Sequence, residues 1–297
     1  MFKNIVVIFL TIILIYSLFP KDSTAKDVVR IAESQSGLDM RHFYLNAVLN
    51  KALEKTKNSY GNFEIKMTIS DAQRERALLE LIKGEKINVH IAATQKKWEE
   101  NSIPIRIPIL KGLLGYRLLL IKSQNQDKFS SINSVEELKQ LKAGLNLHWT
   151  TTKVMSKLGF NIIKGGAYDG LFKMLMRDRF DYFPRGVNEV FAEFDCRKKL
   201  MPDLKIEPRI ALYLPQPTYI FVSPKYPQLA KRIESGLQIM LKDGSLDKLF
   251  WEFNKSNIDK ANLKNRTIFK LENPLLPPET PFDQKQLWFN PLEKPVN

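Results

Sequence analysis

Apolar residues run almost without a break from Ile5 to Phe19, after which the pattern settles into short segments with the periods of strand and helix. The opening run follows one lysine in the first four residues and leads to Ser23-Thr24-Ala25, small residues of the kind a signal peptidase reads. Cleavage near Ala25 and export to the periplasm are therefore expected. The run falls short of the roughly 20 apolar residues that span a bilayer, which disfavours a retained anchor. Asp27–Ala32, DVVRIA, then reads as a strand that opens into the polar turn ESQSG. Between Asp39 and Lys57, Phe43, Ala47, Leu49 and Leu53 recur at helical spacing. Phe63–Met67 alternates as a second strand. A helix over DAQRERALLELIKG buries Ala77, Leu78, Leu81 and Ile82 and stops at Gly84, and INVHIA, Ile87–Ala92, is a third strand. This alternation predicts an α/β unit on a mainly parallel sheet, with a ligand crevice beyond the carboxyl ends of the strands.

Arg106–Ile121, RIPILKGLLGYRLLLI, breaks that rhythm. It is apolar and extended but interrupted by Pro108, Gly112 and Gly115, as suits a chain leaving one domain for another. A second α/β unit follows: a helix around Ser134–Lys142, strand, turn and helix in AGLNLHWTTTKVMSKLGF, a strand in NIIKGG, a helix over Tyr168–Arg177 and a strand end at Phe180–Phe183. Arg209–Ser223, RIALYLPQPTYIFVS, is a second extended stretch with internal prolines, and helices over Tyr226–Lys242 and Ser245–Asn254 come after it. The chain thus builds one lobe, crosses, builds a second and returns. The expected division is 26–112 with 216–266, then 113–215, then a tail over 267–297 whose six prolines between Pro274 and Pro295 forbid a normal helix. Leu287-Trp288-Phe289 is expected to fold the tail back onto the body. Two crossing strands allow hinge closure around a ligand.

Composition narrows the chemistry. A single cysteine, Cys196, excludes an intramolecular disulfide. With only three histidines beside it, a zinc site has no support. GGAYDG has neither the spacing nor the lysine of a phosphate loop, nor the dinucleotide fingerprint, so no cofactor is expected. The formal charge of +14 falls by only one when Lys3, Lys21 and Asp22 leave with the leader. No dense basic tract interleaved with aromatics accompanies it, so nucleic acid is not an expected partner, while an anionic solute is easier to accept.

Candidate binding residues gather at the strand ends. His148-Trp149-Thr150-Thr151-Thr152-Lys153 lies between a strand and a helix. A helix start offers unpaired N–H groups, and three hydroxyls beside it can add bonds to a carboxylate or phosphate oxygen. Simple N-capping by one threonine is the alternative, and Trp149 would wall the cleft. Arg185 offers a planar fork suited to a carboxylate, while Glu189 either accepts from an amino group or pairs with Arg185 one helical turn away. On the first lobe Glu33, Ser34, Gln35 and Ser36, then Asp39, Arg41 and Tyr44, follow the first strand, and Thr94 and Gln95 follow the third. His42, His90 and His148 specify no catalytic triad, and no catalytic residue is assigned.

VVRIAES, RALLELIKGEKINVHIAAT, RIPILKGLLGYRLLLI and GLFKMLMRDRFDYFPRGVNE occur in this order between about Val28 and Lys255. Together with the leader they resemble the periplasmic solute-binding proteins of the amino-acid-binding type, extracellular family 3, with type II topology. The resemblance implies a two-lobed α/β fold with two crossing strands as hinge. It also implies a monomer without enzymatic activity that takes a small polar solute between its lobes and delivers it to a membrane transporter or a sensor receptor. It further implies a threonine-bearing helix start and an arginine from the preceding part of the chain that together hold a carboxylate. The helix start is matched here by His148–Thr152 with Trp-Thr-Thr in place of Gly-Thr-Thr, while IPIRIPILKG offers Arg106 and Lys111 but lacks the common serine. The acid expected after the strand of the second lobe looks replaced by Arg185, so recognition of an amino-ammonium group is in question. A ligand-sensing or structural envelope module with a divergent cleft, and an envelope hydrolase, are the alternatives.

Overall fold

A computed structural model describes residues 26–32, 42–68 and 74–291. The expected leader, with its cleavage site, and the candidates Glu33 and Gln35 lie outside the described residues. The first lobe is built from β1 (Asp27–Ala32), α1 (His42–Lys55), α2 (Lys57–Tyr60), β2 (Phe63–Thr68), α3 (Arg74–Lys83), β3 (Val89–Ala93), α4 (Lys96–Asn101) and β4 (Ile103–Ile105). The second holds β5 (Tyr116–Lys122), α5 (Gln126–Ser130), α6 (Val135–Gln140), β6 (Lys142–Asn146), α7 (Thr150–Lys157), β7 (Asn161–Gly165), α8 (Tyr168–Met176), β8 (Tyr182–Gly186), α9 (Val187–Arg197) and β9 (Leu204–Tyr213). The chain returns through β10 (Thr218–Val222), α10 (Pro227–Lys242) and α11 (Ser245–Ala261), and ends with β11 (Thr267–Lys270) and a tail.

In the first lobe β1 and β2 pair in parallel, and β10 runs antiparallel between β3 and β4. Asn88 joins the two sheets. Its side chain accepts from the Arg30 N–H at 2.7 Å and donates to the Val28 carbonyl at 2.8 Å. The second lobe carries one mixed six-stranded sheet in the order β11-β9-β5-β8-β6-β7. There β5 is antiparallel to both neighbours, so the sheet is less uniformly parallel than strand–helix alternation suggests. Arg117–Ile121 is buried at every position, because β5 has strands on both edges and packed layers on both faces. Pro184 sits inside β8, opposite Leu119, and this strand runs directly into α9. β11 lies within the segment read as tail. Thr-Ile-Phe-Lys has the β-branched and aromatic content of a strand and adds in parallel to the edge of β9.

Two segments, 106–115 and 214–217, connect the lobes side by side. The Leu214 N–H donates to the Gly115 carbonyl at 2.9 Å, and the Ile109 N–H to the Thr218 carbonyl at 3.1 Å. Gly115 has to be glycine: a Cβ there would lie 2.6 Å from the Leu214 carbonyl oxygen. The tail crosses the same place. The Leu271 N–H bonds to the Tyr213 carbonyl at 2.8 Å and the Asn273 amide to the Pro215 carbonyl at 2.8 Å. Farther along, the Phe289 N–H bonds to the Lys111 carbonyl at 2.7 Å, and the Trp288 ring covers Gly112, whose φ of 72° needs a residue without a side chain. Leu287 and Phe289 are buried, the latter against Tyr116, Phe250 and Trp251. The tail thus straps both crossings.

Candidate functional site

A cleft of about 520 Å³ opens where the two lobes face each other across the crossings. Of the described candidates, His148, Trp149, Thr150, Thr151, Arg185 and Glu189 line it, and Tyr44, Thr94, Gln95 and Thr152 do not. Tyr44 packs against Phe253 and gives its hydroxyl proton to the Ile109 carbonyl, which makes it part of the first lobe's core. Thr94 is buried and donates to Glu99, and Thr152 donates to the Asn146 carbonyl at 2.6 Å.

The helix start at α7 behaves as a latch. No side chain caps it. Instead the Thr150 hydroxyl accepts from the Gln95 amide of the opposite lobe at 2.6 Å, and the Thr151 hydroxyl donates to Gln216 in the second crossing at 3.1 Å. Nearby, Glu75 of α3 accepts from Lys97 at 2.7 Å and from Lys153 of α7 at 2.9 Å, a second bridge between lobes. Those two bonds hold the Glu75 carboxyl at about 2, well below the usual range. The lobes are therefore closed on each other.

Arg185 is committed within the protein. Its fork donates to Glu193, Nε to Oε2 at 2.7 Å and Nη2 to Oε1 at 2.6 Å, and Nη2 also lies 3.0 Å from Glu189. Trp149 covers its plane at 4.4 Å and stacks on Phe183. Burial alone would lower the guanidinium's pKa, but Glu189 and Glu193 outweigh it and the group is held firmly cationic. Of the two sequence alternatives for Glu189, the structure takes the pair with Arg185, and Glu189 further accepts the Gly186 N–H at 3.1 Å. The fork expected for a solute carboxylate is spent on Glu193, which sits one turn beyond Glu189 along α9.

Two arginines that the sequence reading did not select line the cleft instead. Arg117 is 2% exposed. Its Nη2 donates to Gln216 Oε1 at 2.6 Å, and its Nε has no partner. Arg74 donates to the Ala93 carbonyl, stacks 5.2 Å from the Trp98 ring and leaves its Nε without a partner. Burial lowers both, each to about 10. His90, beside Trp98 and partly open to the cleft, is pushed down to about 3 by burial and then by Arg74 and His42, and so is neutral at ordinary pH. Thr218 also lines the cleft, and its buried hydroxyl has no hydrogen-bond partner.

No protein-family model matches the chain and no curated protein is similar to it. Solved structures do match. An ancestral arginine-binding protein bound to arginine superposes with a TM-score of 0.55 at 22% identity, covering 77% of this chain and 98% of the other. An arginine-specific periplasmic binding protein of Salmonella typhimurium gives 0.55 at 14%, covering 77% and 99%. The substrate-binding protein of an amino acid ABC transporter gives 0.52 at 16%, again covering 77% and 99%. The chain has the type II periplasmic-binding fold. In this fold two lobes are joined by paired crossings, and the cleft lies between them. The position of Arg117 within RLLLI explains why the sequence concealed it, since a charged residue opening a fully buried strand carries no periodic signal. Arg74 was hidden among the alternating charges of QRERA, which read as a solvated helix face.

Proposed function

We propose that the protein is a periplasmic solute-binding protein that closes around a small polar, carboxylate-bearing solute and passes it to a membrane transporter. The observation that carries this reading is the cleft itself, a space of about 520 Å³ between two rigid sheets, walled by buried polar groups that converge from both lobes and from the crossings. That volume suits a solute of metabolite size and its lining mixes apolar walls with few placed polar groups, as small-molecule sites do. The expected leader and the similarity to binding proteins of transporters support export and delivery. Native mass spectrometry of the mature protein, gently purified from an envelope extract, tests the reading. A stoichiometric small molecule is expected. A cleft that stays empty through purification and a broad metabolite screen sinks it.

One observation favours a second reading, a ligand-sensing or structural envelope module without a transport role. The tail ties both crossings, so the closed form is supported by the chain's own contacts. Scattering profiles with and without solute separate the two, since a transport protein contracts on binding and a fixed module does not.

A further inference from the structure

Among the described residues, three guanidiniums and two carboxylates line the cleft: Arg74, Arg117 and Arg185 against Asp169 and Glu189. Both carboxylates are engaged inside the protein, Asp169 by Arg197 and Glu189 by Arg185. Arg117 is different. Its hydrogen-bond partner is the neutral amide of Gln216, its Nε points at no acceptor, and it is not within ion-pair distance of a carboxylate. Burial, helped by the like charge of Arg185, outweighs the pull that Glu189 and Glu193 exert on it through space, so the cation stays short of counter-charge. A buried guanidinium left this way is costly, and an acid group supplied from outside removes the cost. The Thr218 hydroxyl, at the start of β10 beside the second crossing, offers a donor into the same space.

We propose that Arg117, with Thr218, receives the acid group of the solute, and that the solute needs no ammonium group. This rests on the cleft-binding reading above. The acid group then sits at the hinge, where Arg117 opens the strand after the first crossing and Thr218 the strand after the second. Arg185 does not touch the solute. It is a positioning residue that holds Glu189, Glu193 and the Trp149 wall. Among the described residues of the cleft lining an ammonium group finds no uncommitted carboxylate, so a plain or hydroxylated carboxylic acid fits better than an α-amino acid.

The test is titration calorimetry on the mature protein, stripped of solute by unfolding and refolded. The panel holds linear carboxylic acids of about three to six carbons, their 2-hydroxy and 2-amino counterparts, their amides, and arginine. At least one acid is expected to bind, its amide about a hundredfold more weakly and its amino counterpart no more tightly. Arg117→Gln is expected to lose about thirtyfold, Thr218→Val a few-fold. Should Arg117→Gln fail to fold, Arg117→Lys keeps the charge without the fork and is expected to lose about tenfold. An amino acid bound more than about tenfold tighter than its plain acid overturns the proposal, as does unchanged affinity in a folded Arg117 variant or no binding by any acid. If the native protein carries a solute without an acid group, the cleft reading stands and this proposal falls. If no solute of any class is found, both fall.

Discussion

Arg185→Met isolates the buried charge cluster behind the cleft. In the parent, one guanidinium meets Glu193 through two hydrogen bonds and Glu189 at 3.0 Å, with all three side chains nearly excluded from solvent. Methionine fills a similar volume but leaves two buried carboxylates without their cation. Breaking a buried pair from one side costs about 3–5 kcal/mol. For a chain of this size, each kcal/mol moves the melting temperature by about 2–4 °C, so a fall of roughly 10 °C is expected. Urea denaturation monitored by tryptophan fluorescence measures the loss directly, with Trp149 reporting on the site. A loss below about 1 kcal/mol would falsify the assignment of Arg185 as an internal partner and return it to the solute.

Three further outcomes are expected. Phe289→Ala removes the ring packed between Tyr116, Phe250 and Trp251 and is expected to cost about 3 kcal/mol by chemical denaturation, whereas a freely hanging tail would lose nothing measurable. Gly115→Ala puts a Cβ against the Leu214 carbonyl and is expected to destabilise by about 1–3 kcal/mol, and parental stability in that variant contradicts the close approach of the crossings. The Glu75 bridge between lobes is complete above a pH of about 4.5 and is lost as pH falls through about 2, because its folded pKa lies below its unfolded one. Distances between labelled lobes should therefore lengthen across that window in the parent, and a Glu75→Gln protein that showed the same pH response would count against the bridge.

Periodicity was enough to place most helices and strands, since DVVRIA, INVHIA and the face of Ala77, Leu78 and Leu81 each carry a clear repeat. It also located the crossings, where proline and glycine interrupt apolar runs. It failed where tertiary contacts override local signals. The strand end was placed at Phe180–Phe183, yet β8 runs on through Pro184 to Gly186 because β5 supplies an antiparallel partner, and VNEVFAEFDCR then forms α9 with no preceding turn. The cleft was half legible. The Trp-Thr-Thr-Thr start was found from helix-end chemistry, but what each hydroxyl bonds to depends on Gln95 and Gln216, which lie 55 and 65 residues away from Thr150 and Thr151. Arg185 was chosen for its fork, and the structure gives that fork to Glu193, which nothing local announces. Arg117 carried no local signal at all, since its significance comes only from the groups that do not meet it.

The strap across the crossings bears on time as well as shape. Opening the lobes has to bend or release contacts that the tail makes with Tyr213, Pro215, Lys111 and Gly112, and none of these four residues lines the cleft. If the cleft takes a solute as proposed, part of the barrier to release therefore belongs to the chain and not to the solute. Chemically different solutes would then leave at more similar rates than their affinities suggest, and the dwell time of the complex becomes a property that changes between Leu271 and Phe289 can tune without touching the cleft.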